Sequence, residues 1–190
     1  MHSRPVIRFF LKVLLWLPVT FGIWYFMAIV ITSPITWLVE RLLLNLFPEV
    51  FVAVHQTGYH LEFWAKTTVG GSLVRFEVNS LTYSNGLALY TALVLASPGE
   101  EGRKWLRWLM GIAILLLVST WGVGLEAMKG VMAVIPEVRG HFTLPLWVGR
   151  TVFISNRYNL LVLPTIMPIM IWMGFHTSFL KQLAPGMTGK

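Results

Sequence analysis

The stretch LVRFEVNSLTYSNGLALYTALVLASP, residues 73–98, decides the fold, because it joins a polar strand directly to an apolar helix. Apolar and polar residues alternate in its first half, with Val74, Phe76 and Val78 on one side and Arg75, Glu77 and Asn79 on the other. This alternation is typical of a half-buried β-strand. From about Gly86 the stretch is apolar and uncharged, which is typical of a membrane helix. The join at residues 79–85 therefore predicts an ordered extramembrane element at a fixed height on the bilayer, where we expect the function to lie.

The composition of the whole chain indicates an integral membrane protein. Of its 190 residues, 56% are hydrophobic and only 12% are charged, whereas soluble domains carry about 25% charged residues. The net charge is +7, but the Lys and Arg residues flank apolar runs, which favours contact with anionic lipid headgroups over nucleic acid. The chain has no Cys, which excludes a disulfide, a thiolate metal site and a Cys nucleophile.

Four apolar segments predict a single α-helical membrane domain over residues 1–190, with spans at about 13–32, 83–97, 107–125 and 158–180. Each is treated as a crossing of a hydrocarbon core about 30 Å thick. A cleaved signal peptide is the alternative for the first segment, but its apolar run is longer than usual and no small-residue cleavage site follows it.

The distribution of basic residues predicts the orientation of these spans. Lys and Arg are concentrated at 4–12, 103–107 and 181–190, and a four-span count puts all three groups on one side. The positive-inside rule makes that side the cytoplasm. Both termini are then expected inside, and segments 33–82 and 126–157 outside.

A separate helix is expected after Ser33-Pro34, because this pair combines an N-cap hydroxyl with a proline in the first turn. Apolar residues recur at helical spacing up to Phe47, and Glu40-Arg41 lie in the middle. These features predict an amphipathic helix in the membrane interface. A helix packed at the rim of the bundle is the alternative.

A small outward-facing β-hairpin is predicted from residues 59–66 and 73–79, since both alternate and a glycine-containing turn separates them. Two registers keep the apolar residues on one face. They place Lys66 opposite either Arg75 or Glu77, and cross-strand charge rules favour Glu77. Because an isolated hairpin is marginally stable, we expect it to pack on the helices, on residues 51–57 or on a partner. Residues Thr143–Phe153 are either another strand or an interfacial segment.

No catalytic group, metal site or cofactor is predicted. His55 and His60, and Glu137 and His141, lack a specific metal-ligand spacing. His176 lies near the end of the last span, where it is either a haem or chlorophyll ligand or a hydrogen-bonded interfacial residue. The span centres carry no charge, and intramembrane charges are the usual mark of transport or proton transfer.

Three segments resemble the exosortase H-associated membrane protein family across roughly residues 6–98. They are FFLKVLLWLPVTFGIWY at 9–25, HLEFWAKT at 60–67 and FEVNSLTYSNGLALYTALVLASP at 76–98. The resemblance implies an inner-membrane protein of Gram-negative bacteria that accompanies an enzyme sorting C-terminally anchored surface proteins. Exosortases act through a Cys together with Arg and His, so a chain without Cys is not that transpeptidase.

The functional hypothesis is a non-catalytic accessory subunit that binds a partner integral membrane protein in the lipid bilayer. The expected partner-binding residues are Glu62, Arg75, Glu77, Asn79 and Tyr83. Asn79 and Tyr83 are also expected to hydrogen-bond the backbone where the strand turns into the helix, because irregular backbone near lipid must find partners. One alternative is a structural subunit of another membrane complex, such as an energy-transducing or pigment-binding one. A small enzyme or transporter with its site in the outward segments is a third.

Overall fold

The computed structural model describes residues 3–66, 72–98, 101–134 and 163–177, and the predicted segment Thr143–Phe153 lies outside these ranges. In chain order the elements are α1 (Ser3–Phe26), α2 (Ala28–Leu46), β1 (Phe51–Thr57), β2 (His60–Lys66), β3 (Leu73–Asn79), α3 (Leu81–Ser84), α4 (Gly86–Ala96), α5 (Glu101–Val134) and α6 (Leu163–Phe175). The protein is therefore mostly helical with one small antiparallel sheet.

Several of these helices suit a membrane. Three are long and apolar enough to cross one, namely Val6–Phe26 of α1, the whole of α2, and Arg103–Ala133 of α5. The stretches Leu81–Ala96 and Leu163–Phe175 are apolar but shorter. The expectation of a multi-helix membrane protein is confirmed in this form, and the four-span count stays a prediction.

The predicted helix start at Ser33 is wrong, because α2 already begins at Ala28 and contains Pro34. Only Met27 separates α2 from α1, and its N–H and C=O both make helical hydrogen bonds, to Ile23 and Ile31. The Ser33 hydroxyl donates back to a carbonyl in the preceding turn instead of capping a helix. A proline inside a helix costs about 3 kcal/mol, and burial of the α2 face that carries Ile35, Val39 and Leu43 offsets this cost.

The sheet has the order β1-β2-β3, and both pairs of strands are antiparallel. Both predicted hairpin registers are wrong, since Lys66 lies opposite Leu73. The observed register sets Glu62 opposite Glu77, and Arg75 bridges the two carboxylates, reaching Glu62 diagonally across the strands and Glu77 along β3. The cross-strand charge rules used for the prediction consider directly opposite residues, so they do not include this bridge. An even shift keeps each side chain on its face, so the predicted apolar face is unaffected.

Two apolar clusters divide the molecule. In the sheet cluster, the apolar face of the sheet packs against α2 and the C-terminal half of α5, with members Ile35, Val39, Leu43, Phe51, Leu61, Phe63, Val123, Ala127 and Val131. In the helix cluster, α1, α4, α6 and the N-terminal half of α5 pack together through Phe9, Val13, Leu87, Tyr90, Val94, Leu115 and Trp172. Helix α5 has 34 residues and is about 50 Å long at 1.5 Å per residue, so it belongs to both clusters.

Three glycines among the described residues allow close packing around this frame, and one of them, Gly111, faces the Tyr90 ring. A Cβ at Gly86 would lie 2.7 Å from the Pro164 carbonyl oxygen, so its absence lets α4 approach α6. A Cβ at Gly130 would lie 2.7 Å from the ring of Phe76. The missing side chain thus lets β3 rest on the C-terminal part of α5.

Candidate functional site

The polar face of the sheet carries three charged side chains in direct contact, which we call the ion-pair cluster: Glu62, Arg75 and Glu77. Arg75 Nη2 donates to Glu62 Oε1 at 2.9 Å and to Glu77 Oε1 at 2.8 Å. Thr57 Oγ1 donates to the same Glu62 oxygen at 2.8 Å. The Arg75 and Glu77 side chains are 48% and 49% exposed, against 13% for Glu62. The cluster is therefore an ordered charged surface, anchored by its least exposed member.

Electrostatics within the cluster favour its charged form. The hydrogen bond to Glu77 and the nearby charge of Glu62 raise the pKa of Arg75 above its ordinary value. Two carboxylates face one guanidinium, so the cluster as a whole is negative by one formal charge. A positively charged group on a binding partner would complement it.

The opposite face of β3 confirms the predicted orientation of the strand. Val78 is buried, and Val74 and Phe76 are half-buried. The Phe76 ring stacks on Phe63 with 5.4 Å between ring centroids and covers Gly130. The apolar side chains of β3 thus face the protein, while the charged ones face outward.

The join between β3 and the helices is held by small polar side chains. Asn79 Oδ1 accepts a hydrogen bond from the Leu81 N–H at 2.9 Å, which confirms the predicted backbone contact of Asn79. The N–H and the hydroxyl of Ser80 both donate to the Tyr59 carbonyl, at 3.1 and 2.8 Å. Thr32 Oγ1 then donates to Ser80 Oγ at 2.6 Å. Both hydroxyl residues are fully buried, so the join is tied to the turn between β1 and β2 and to α2.

At the join Tyr83 hydrogen-bonds the backbone through its own N–H, which donates to the Ser80 carbonyl at 3.1 Å, whereas its side chain bonds a carboxylate. Its hydroxyl donates to Glu126 Oε2 at 2.9 Å, and Lys129 Nζ donates to Glu126 Oε1 at 3.0 Å. The carbonyl of Tyr83 accepts from Ser119 Oγ at 2.9 Å. Tyr83 is only 5% exposed, because α3 turns this side chain toward α5. The Tyr83 side chain therefore makes its contacts inside the protein and not at the surface.

These contacts form a second feature, the junction network, which fixes the sheet to the helices. Its members are Trp24, Thr32, Tyr59, Ser80, Tyr83, Ser84, Ser119 and Glu126, with Trp24 Nε1 donating to Ser84 Oγ at 3.3 Å. The sequence predicts that irregular backbone near lipid must find partners. It gives no signal that distinguishes Thr32 or Ser119 from the neighbouring hydroxyl residues Ser33 and Thr120 in the same apolar helices.

Four of the five predicted partner-binding residues reach the surface, and Tyr83 does not. Glu62, Arg75 and Glu77 lie together in the ion-pair cluster, and Asn79 follows at the exposed end of β3. Their role in partner binding stays a prediction.

His176 lies at the end of α6 and is 5% exposed. Its Nδ1 is 3.1 Å from the Trp172 carbonyl oxygen, and its ring stacks on the Trp172 indole. Trp172 Nε1 donates to Ser97 Oγ at 2.7 Å. This packing is that of a hydrogen-bonded histidine. Within the ranges that the structure describes, no three His, Asp or Glu side chains are grouped as metal ligands would be.

Over residues 3–179 the sequence matches the family described as exosortase H-associated membrane protein. The match covers nearly the whole chain, so it includes α5 and α6 as well as the motifs of residues 6–98. No curated protein and no solved structure matches the chain.

Proposed function

Since the chain belongs to the exosortase H-associated membrane protein family, we propose that it is a non-catalytic accessory subunit of a bacterial inner-membrane exosortase system. In this role it binds a partner integral membrane protein, and the exosortase is the first candidate. The observation that carries the proposal is the ion-pair cluster, an ordered charged surface on a sheet that the junction network fixes to apolar helices.

The proposal includes four membrane spans, formed by α1, by α3 with α4, by the N-terminal half of α5 and by α6. The exposed large apolar side chains of α5 run from Trp105 to Trp121, a rise of about 24 Å at 1.5 Å per residue. This length approaches the hydrocarbon thickness of about 30 Å. After Trp121 the apolar face of α5 is covered by α2 and the sheet, which supports placing that half outside the lipid.

In this arrangement α2 lies at the outer interface, although its length and composition would allow a span. Its buried face packs on β1 and on the C-terminal half of α5. On its outer face Trp37 is exposed, with the Arg41 guanidinium 5.9 Å from the ring centroid. Exposed Trp and Arg side chains favour the headgroup region, so these contacts support an interfacial helix.

The orientation follows from the basic residues at the end of the helices opposite the sheet. Arg8 and Lys12 lie on α1, and Arg103, Lys104 and Arg107 lie on α5. Lys104 Nζ donates to the Leu95 and Ser97 carbonyls at 3.2 and 3.0 Å, so it also stabilises the C-terminal end of α4. The positive-inside rule then puts both termini in the cytoplasm and the sheet outside.

Partner binding explains why charges occupy the polar face of the sheet. Exposed ion pairs contribute only about 0–1 kcal/mol to folding, so the ion-pair cluster adds little to stability. Complementary charges do raise association rates and specificity. The junction network holds this charged face at one height above the bilayer, where a neighbouring membrane protein can reach it.

The experiment is co-purification with the exosortase of the same bacterium, using the triple variant Glu62→Ala, Arg75→Ala, Glu77→Ala. The control triple variant Glu40→Ala, Arg41→Ala, Glu49→Ala removes the same residue types and makes the same change in formal charge. We expect the first variant to lose exosortase while its thermal stability is unchanged, and the control to retain it. Full recovery of exosortase with the first variant would reject the proposal.

A further inference from the structure

Strand β3 lies at the edge of the sheet, and its outer side has no backbone partner among the residues that the structure describes. The Ser80 N–H donates to the Tyr59 carbonyl, and backbone groups in an antiparallel ladder face the neighbouring strand at every second residue. Val74, Phe76 and Val78 therefore turn their N–H and C=O groups toward β2. The groups that face outward belong to Leu73, Arg75, Glu77 and Asn79.

The other edge of the sheet, along β1, is protected, whereas no described strand covers the outer edge of β3. The β1 register is irregular between Phe51 and Ala53, α2 packs against this strand, and Gln56 Nε2 donates to the Ile29 carbonyl at 2.9 Å. Irregular registers and covering elements are the usual protection of a sheet edge. By contrast, β3 pairs with β2 in one regular register from His60 to Lys66.

Both faces next to the open edge would suit an added strand. On the inner face Val74 and Phe76 are only half-buried, so an extended segment beside them would cover more apolar surface. On the outer face the carboxylates of Glu62 and Glu77 outnumber the guanidinium of Arg75. The part of the edge near Asn79 is therefore negative and complements a basic side chain.

We propose that the partner binds by adding an extended segment to β3 as a fourth strand, with apolar side chains beside Val74 and Phe76 and a basic side chain beside Glu77. This inference rests on the proposed function, because it specifies how the same surface is recognised. Main-chain hydrogen bonds give such an added strand its affinity, and alternate side chains give it specificity. The outward N–H and C=O groups of Leu73, Arg75, Glu77 and Asn79 supply the bonds.

A matched pair of variants separates the edge from the charges. Arg75→Pro and Arg75→Ala both remove the guanidinium, but only proline also removes the outward N–H. Proline is tolerated on an edge strand where its nitrogen faces away from the ladder. With purified exosortase and the full-length protein in detergent, we expect the Kd of the Pro variant to be about tenfold above that of the Ala variant. Equal Kd values for the two folded variants overturn the proposal.

Hydrogen exchange of the unmodified protein keeps the test valid if the Pro variant does not fold. We expect the amides of Leu73, Arg75, Glu77 and Asn79 to exchange more slowly in the exosortase complex than in the free protein. Unchanged exchange at all four overturns strand addition. If exchange is unchanged but the triple alanine variant fails to bind the exosortase, strand addition is rejected and the proposed function stands. If these amides become protected in the free protein as its concentration rises, the edge binds a second copy of this chain. That result also overturns the proposal.

Discussion

The Tyr83 hydroxyl donates a hydrogen bond of 2.9 Å to Glu126 Oε2, between residues 43 positions apart in the sequence. This contact joins the short helix after the sheet to the C-terminal half of α5. Lys129 holds the same carboxylate from the next turn, so Glu126 keeps a charged partner if Tyr83 is changed. The bond is therefore suited to a measurement of how strongly the junction network holds the sheet.

Tyr83→Phe should lower the free energy of unfolding by about 1.5–3 kcal/mol, the usual contribution of a hydrogen bond to a charged group. Chemical unfolding in detergent measures the change. Tyr25→Phe is the control, because Tyr25 is exposed on α1 and should leave stability unchanged. Equal stability of the two variants would show that the Glu126 contact does not hold the junction.

Ser80→Ala should destabilise the protein by about 1–3 kcal/mol, because it leaves the buried hydroxyl of Thr32 without its acceptor. Thr32→Val removes the other partner. If the two hydroxyls are bonded as described, the double variant should lose less than the sum of the single losses. Strictly additive losses would contradict the bond.

Gly130→Ala should destabilise the protein by about 1–3 kcal/mol, because the new methyl group collides with the Phe76 ring and overpacks the site. Gly124→Ala on the same helix is the control, since the nearest atom to its Cβ is 3.9 Å away. There the better helix propensity of alanine should be neutral or stabilising by up to about 1 kcal/mol. Thermal unfolding of both variants tests whether β3 rests on α5.

The native chain has no cysteine, so single introduced cysteines report the topology without background labelling. We expect Lys66→Cys and Asn45→Cys to react with an impermeant thiol reagent added outside intact spheroplasts. Arg103→Cys should react only after the membrane is permeabilised. Labelling of Arg103→Cys in intact spheroplasts would reverse the orientation. Protection of Asn45→Cys together with labelling of Lys66→Cys would contradict an interfacial α2.

The faces of β3 could be predicted from the sequence because alternation is a local property. The hairpin register could not, since Arg75 pairs diagonally with Glu62 across the strands and with Glu77 along its own strand, while pairing rules consider directly opposite residues. The sequence does not indicate the start of α2, because Pro34 resembles a first-turn proline. Only the packing of α2 on α5 shows that the helix continues through this proline.

The candidate site was predictable to a similar extent. The charges of the ion-pair cluster follow from the polar side of two strands, and the need for polar contacts after Asn79 follows from the nearby lipid. The partners of that join could not be predicted, because Thr32, Ser119 and Glu126 come from distant parts of the chain. Which residues contact the join depends on how α2 and α5 lie beside α3, and no local sequence pattern encodes that arrangement.

Helix α5 is continuous from Glu101 to Val134 and has no proline, so its two halves form one unbroken rod. A helix adjusts its tilt to the thickness of the surrounding bilayer. With the N-terminal half of α5 in the bilayer as proposed, a change of its tilt would swing the sheet, because the sheet rests on the C-terminal half of α5 at Gly130. Under the proposed membrane placement, lipid composition would set the angle of the charged face above the bilayer, and thin and thick membranes would present that face differently to the proposed partner.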